Sequence, residues 1–167
     1  MATTRIRYIK YPRLRYRTDT PLRWDHLGPP TMAACHAVLR RLPPDVQDAL
    51  SPPQRELIAH ILYLAWMNAH TKKLRTAYCS PSYKYLASIC GRSRDSIRVY
   101  VERFRQLGLV RTTQLFFHPG PITQARGQGH VRWKGHLRFY LGPHLLSALY
   151  KTFSTRRPVR YAQTPEQ

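Results

Sequence analysis

Acidic residues are scarce in this chain. Its 167 residues carry 8 Asp plus Glu against 28 Lys plus Arg, a formal charge of +20 at pH 7 and a pI near 10.8. The acids are too thinly spread to form a paired carboxylate cluster. A phosphate-cradling glycine loop and a nucleophile elbow are also lacking, so no enzyme is expected. A tyrosine nucleophile acting on DNA would need His or carboxylate partners at recognisable spacing. None accompanies the 11 tyrosines. Cysteine is equally sparse. Cys35, Cys79 and Cys90 are odd in number and unrelated in spacing, which excludes a disulfide framework and suits a reducing cytoplasm. They form no CxxC pair. His60 and His70 are too far apart for an i,i+4 ligand pair, and His118, His130, His136 and His144 come without a cysteine pair or HExxH, so neither metal nor cofactor is expected. Long apolar runs are missing too. The longest, Leu57 to Met67, is broken by His60 and is too short to span a bilayer. The first residues are basic without the apolar core of a signal peptide, which points to a cytoplasmic protein.

What is present is a core and a strong positive charge. Hydrophobic residues make up 43% of the chain, too many for a disordered basic tail. The length suits one ordinary domain that needs no staples. A basic surface of this strength attracts polyanions. Of the 28 basic residues 22 are Arg. Arginine forks suit phosphates and guanine edges, and a GC-rich genome would give the same bias.

Residues 1–30 read as a basic, aromatic arm. Arg5, Arg7, Lys10, Arg13, Arg15 and Arg17 alternate with bulky residues until prolines interrupt. Such a stretch is an edge ribbon or an arm that orders on a partner. Thr31 is the expected N-cap of a helix to about Leu42, with Met32, Val38, Leu39 and Leu42 on its buried side and Pro43-Pro44 ending it. A helical turn follows at Asp45 to Leu50. Ser51 then caps a helix with Pro52 at its first position. That helix runs to about His70 and is apolar over a wide face, as a central core helix is.

The informative block comes next. Ser82 opens a short helix from Tyr83 to Ile89, and Cys90-Gly91 makes a turn with Gly91 in a left-handed cap. Ser93 caps a second helix from Arg94 to Leu107, which Gly108 ends. Ile97, Val101 and Phe104 fall at i, i+4 and i+7, one buried stripe. A strand is expected from Leu109 to Phe117, a Gly/Pro-rich loop from His118 to Gly129, and a second strand from His130 to Leu141. A last helix, about Pro143 to Phe153, precedes a polar tail over 154–167. Cys35 and Cys90 read as small buried residues.

Helix, tight turn, helix, strand, loop, strand is the order of a winged helix-turn-helix. The stretch SPSYKYLASICGRSRDSIRVYVERFRQLGLVRTTQ resembles bacterial winged-helix DNA-binding proteins. The preceding LSPPQRELIAHILYLAW resembles the corresponding helix in proteins of phage and plasmid replication. The resemblance covers about residues 50–142. It implies a mainly α chain with a small antiparallel β wing (α+β). The domain would span 31–153, with the helix-turn-helix at about 82–107 and the wing at about 109–141, between the arm and the tail.

It also implies an interface. A helix in the major groove presents its first turns to base edges. Opposite the buried stripe lie Asp95, Val99, Glu102 and Gln106, flanked by Arg94, Arg98 and Arg103. Arg94 or Arg98 would grip guanine, Asp95 would accept from cytosine, and Val99 would touch a thymine methyl. Arg92 stands just before the cap. Ser82, Ser93, Ser96 and Lys84 are candidate phosphate contacts. In the wing, Gln124, Arg126, Gln128, His130, Arg132 and Lys134 would follow the minor groove or the backbone. Arg103, Arg105 and Arg111 can equally form a solvated face. Glu102 is placed to pair with Arg98 or Arg105, and Tyr100 to lie half-buried.

The expected partner is double-stranded DNA, read by a nucleoid-associated transcription regulator or replication initiator of a bacterial mobile element. The alternative is an RNA-binding or nucleoprotein component, whose Arg/Tyr arm stacks on single-stranded bases. A two-fold operator would require the N- and C-terminal helices to pair two copies into a homodimer.

Overall fold

The computed structural model describes residues 23–24, 26–117 and 134–154. Among these, six helices and three strands follow in the order α1 (Met32–Leu39), α2 (Pro44–Asp48), α3 (Pro52–Lys72), β1 (Tyr78–Cys79), α4 (Tyr83–Cys90), α5 (Arg94–Gln106), β2 (Val110–Phe117), β3 (Lys134–Leu141) and α6 (Pro143–Ser154). The class is mainly α with one small antiparallel sheet.

Serine and threonine caps set most helix starts. Thr31 Oγ1 accepts from the Ala34 amide at 3.0 Å and starts α1. Ser51 and Gln54 form a reciprocal capping box at the head of α3, with Pro52 and Pro53 between them. The 21 residues of α3 bury Leu57, Ile58, Ile61, Leu62, Ala65 and Trp66, and the helix is the central post. It packs against α1, β1, α4 and β3. It runs two residues past the expected His70 and stops on Lys73, which takes a left-handed φ of 54° without being glycine.

Two boundaries are shorter than the sequence suggested. α1 ends at Leu39 rather than Leu42, because Arg41 and Leu42 turn back to the carbonyls of Val38 and Leu39. Leu42 still reaches the core from that turn. α2 occupies 44–48 instead of 45–50. The strand expected over 130–141 is described from Lys134, and its residues 130–133 lie outside the described residues.

The sheet has the order β1-β3-β2, all antiparallel. β2 and β3 pair from Val110↔Leu141 to Phe117↔Lys134. On their core side Phe139, Leu141 and Val110 are buried, while Leu137 is half-buried. β1 was not expected from sequence. It adds to the free edge of β3 through Tyr78↔Tyr140 and Cys79↔Phe139.

The arm as drawn to residue 30 is too long. Trp24 is only 2% exposed and Pro30 is buried. The Trp66 indole N–H donates to the Gly28 carbonyl at 3.0 Å, and the Trp24 and Trp66 rings meet edge-on at 6.3 Å. Phe153 of α6 closes on the other side of Trp66 at 5.5 Å. The apolar side chains of α1 and α6 (Cys35, Val38 and Leu39; Leu145, Ala148 and Leu149) are buried within the chain. These are the two helices expected to pair two copies.

Gly142 joins the two halves. Its amide donates to Leu109 O at 2.7 Å, and the His144 amide donates to Gly108 O at 3.2 Å. A Cβ at 142 would lie 2.2 Å from Gly108 O. No described helix is long and apolar enough to cross a membrane.

Candidate nucleic-acid interface

α4 and α5 are held at a fixed angle by a short glycine turn. Ser82 Oγ accepts from the Tyr85 amide at 3.1 Å and begins α4. Leu86 and Ala87 anchor α4 in the core. Gly91 takes φ 61°, and its amide and that of Arg92 both return to Ala87 O. This closes α4 with the left-handed cap expected there. Ser93 then starts α5 at once.

α5 presents two unlike sides. Ile97, Val101 and Phe104 are buried at 0–2% exposure and fix the helix against the core. Arg94, Asp95, Arg98, Val99, Glu102 and Gln106 are exposed, and Arg103 is half-buried. Val99 is 64% exposed. A β-branched apolar side chain held so openly has no packing role. Four arginines and two carboxylates share this helix. Glu102 pairs with Arg105 at 3.2 Å rather than with Arg98, leaving the first two turns to Arg94, Asp95 and Arg98. Tyr100 is half-buried against the core, as its position implied.

A groove of about 480 Å³ runs between α5 and the sheet. Arg98, Val99, Glu102 and Arg105 line it from α5, Thr112 and Leu137 from the sheet, and Tyr83 from α4. Burial pushes the Tyr83 phenol above its usual value, while nearby Arg98 and Arg105 oppose that shift. The phenol therefore remains a neutral hydrogen-bond donor at physiological pH. Tyr83 was not singled out from sequence. The sequence puts it at the start of α4, but its position beside Arg98 comes only from the packing of α4 on α5.

The serines behave differently from one another. Ser93 Oγ accepts the Ser96 amide at 3.2 Å and donates its proton to Ser96 Oγ at 3.0 Å. Both hydroxyls thus belong to the cap of α5, and an added phosphate contact from Ser93 would have to replace that donation. Ser82 and Lys84 are exposed at the start of α4, and Arg92 is exposed in the turn between α4 and α5. Lys134 opens β3. Gln124, Arg126, Gln128, His130 and Arg132, and the arm residues Arg5, Arg7, Lys10, Arg13, Arg15 and Arg17, lie outside the described residues.

Among the described residues no three His, Cys, Asp or Glu side chains are close enough to hold a metal ion. Burial pushes the Cys35 and Cys79 thiols up to about 12, so both stay protonated and inert. Cys90 is half-buried rather than buried. Compared with protein-family models, curated proteins and solved structures, the chain matches none of them.

Proposed function

We propose that this protein binds double-stranded DNA sequence-specifically through a winged helix-turn-helix. In this reading α4 and α5 are the helix-turn-helix, β2 and β3 the wing, and α5 the element that enters the major groove. The biological setting is transcription regulation or replication initiation on a bacterial mobile element. The observation that carries the reading is the exposed side of α5. Arg94, Asp95, Arg98 and Val99 stand free over its first turns, while Ile97, Val101 and Phe104 lock the same helix to the core. That set supplies a guanidinium fork for guanine, a carboxylate for the cytosine amino group and an apolar contact for a thymine methyl. The chain's +20 charge supplies the sequence-independent part of the affinity.

Selection of bound fragments from random duplex DNA, repeated with variants, tests this. Arg98→Ala should cost about 1–3 kcal/mol on the preferred site and relax the choice at one base position. Arg126→Ala in the wing should weaken all duplexes more evenly. Thermal melts confirm that each variant is folded. If Arg94→Ala and Arg98→Ala both keep full affinity and the same consensus, α5 does not read bases, and the RNA or nucleoprotein reading takes its place.

A further inference from the structure

The outer face of the sheet carries a second surface. Strand alternation puts Tyr78 of β1, Arg138 and Tyr140 of β3 and Arg111 of β2 on one side, with Tyr140 between Tyr78 and Arg111 in the register. The Arg138 guanidinium carbon lies 4.2 Å from the centre of the Tyr78 ring, and Nη1 reaches the Tyr140 hydroxyl at 3.5 Å. The two tyrosine rings are 6.0 Å apart and tilted by 53°. Asn68 of α3 donates to Tyr78 O at 2.8 Å and holds this end of the sheet in place. Tyr78 continues the surface into a cleft of about 340 Å³ that it shares with Lys72 and Tyr85. Tyr85 is 47% exposed, and with Val99 it is one of two exposed large apolar side chains among the described residues. The groove beside α5 is lined instead by Thr112 and Leu137, which alternate with Arg111 and Arg138 along their strands. The two surfaces therefore occupy opposite faces of one sheet.

Charge narrows the partner. The described carboxylates are Asp45, Asp48, Glu56, Asp95 and Glu102, all on α2, α3 and α5. None lies on a described strand, so Arg111, Arg138 and Lys72 make a positive band interleaved with three tyrosines. Aromatic rings alternating with cations suit a ligand that alternates flat bases with phosphates. In a duplex the base faces are stacked and hidden, so such a band gains its stacking only on unpaired bases.

We propose that the Tyr85–Tyr78–Arg138–Tyr140–Arg111 band is a binding surface for single-stranded DNA, separate from the α5 interface. The choice of DNA rests on the duplex reading above, because a strand released near a bound duplex is the unpaired strand closest to this face. The stacking itself is independent of that reading.

The test uses the full chain at about 0.15 M salt. The probes are a labelled strand of about 12 thymidines, an abasic strand with the same number of phosphates, the matching oligouridine, and the selected duplex. The wild type should favour oligothymidine over the abasic strand by roughly five- to a hundredfold, the range expected for one or two stacked bases. Tyr85→Ala and Arg138→Gln should each lower that preference at least about fivefold while leaving duplex affinity unchanged, and Arg98→Ala should do the reverse. Tyr85 is exposed enough to be replaced without unfolding, and Arg111→Gln substitutes for Arg138→Gln if the latter melts early. No preference for bases over the abasic strand, an unchanged preference in the variants, or equal losses on duplex and single strand would each overturn the proposal. Tighter binding of oligouridine would make RNA the occupant and overturn it as well.

Discussion

His144 is the side chain whose environment has the plainest solution consequence. It is the second residue of α6. Burial holds its imidazole below the usual histidine value; Asp45 opposes that shift and Lys151 adds to it. The folded state thus prefers the neutral ring, while the unfolded chain takes up a proton near the ordinary value of about 6.5. Between the two, the unfolded state binds more protons, so stability rises with pH. The contribution is intact above the ordinary value and is lost as pH falls through it towards the folded value. Melting temperatures should fall between about pH 7.5 and about pH 5.5, a span that brackets that value. His144→Gln should give a shallower fall. An identical slope in the variant would remove His144 as a source of the pH dependence.

At the scale of elements, the α4–α5 turn depends on a backbone conformation rather than on space. Gly91 sits at φ 61°, yet a Cβ there would meet nothing within 4 Å. Gly91→Ala should cost about 1–2 kcal/mol in denaturant unfolding, from the left-handed backbone alone. Gly91→Asn should recover part of that loss, because asparagine tolerates this region better. Equal stability of the alanine variant and wild type would mean the turn relaxes into another conformation. This turn was legible from the order of residues, because glycine between two serine-capped periodic segments is local information. So was the buried stripe of α5. β1 was not legible: two residues carry no periodicity, and Tyr78 and Cys79 become a strand only through pairing with Tyr140 and Phe139, far along the chain. The burial of Trp24 is similar. A lone tryptophan among prolines has no pattern, and its partner Trp66 lies in the middle of α3. In the candidate interface, exposure of Arg94, Arg98 and Val99 followed from helical period. The mutual engagement of Ser93 with Ser96, and the place of Tyr83 over α5, required the packed structure.

For the molecule as a whole, the proposed DNA binding predicts separable contributions from charge and architecture. With about 6 phosphates neutralised, the slope of log affinity against log salt on duplex DNA should be near −5. Deleting residues 1–18 removes Arg5, Arg7, Lys10, Arg13, Arg15 and Arg17 but stops short of Trp24, which belongs to the core. The truncated chain should stay folded, show a shallower slope and keep the same consensus, since phosphate contacts position a protein without reading sequence. A flat salt response of the intact chain would remove nucleic acid as the principal partner. An altered consensus after truncation would show that the arm reads bases.

The Gly108–Gly142 joint is also a signature by which other chains of this build can be found. A backbone carbonyl fills the space where a side chain at 142 would go, and that carbonyl belongs to the residue that ends α5. The two positions are tied across β2, the segment 118–133 and β3, however long that excursion is. A sequence that splices its last helix to its exposed helix in this way must carry glycine just after β3. It would also match Leu107-Gly108-Leu109-Val110 to Leu141-Gly142, the pair that Val110↔Leu141 brings side by side. A search for those two short strings, with a variable gap between them, asks for a shape rather than a resemblance along the whole chain.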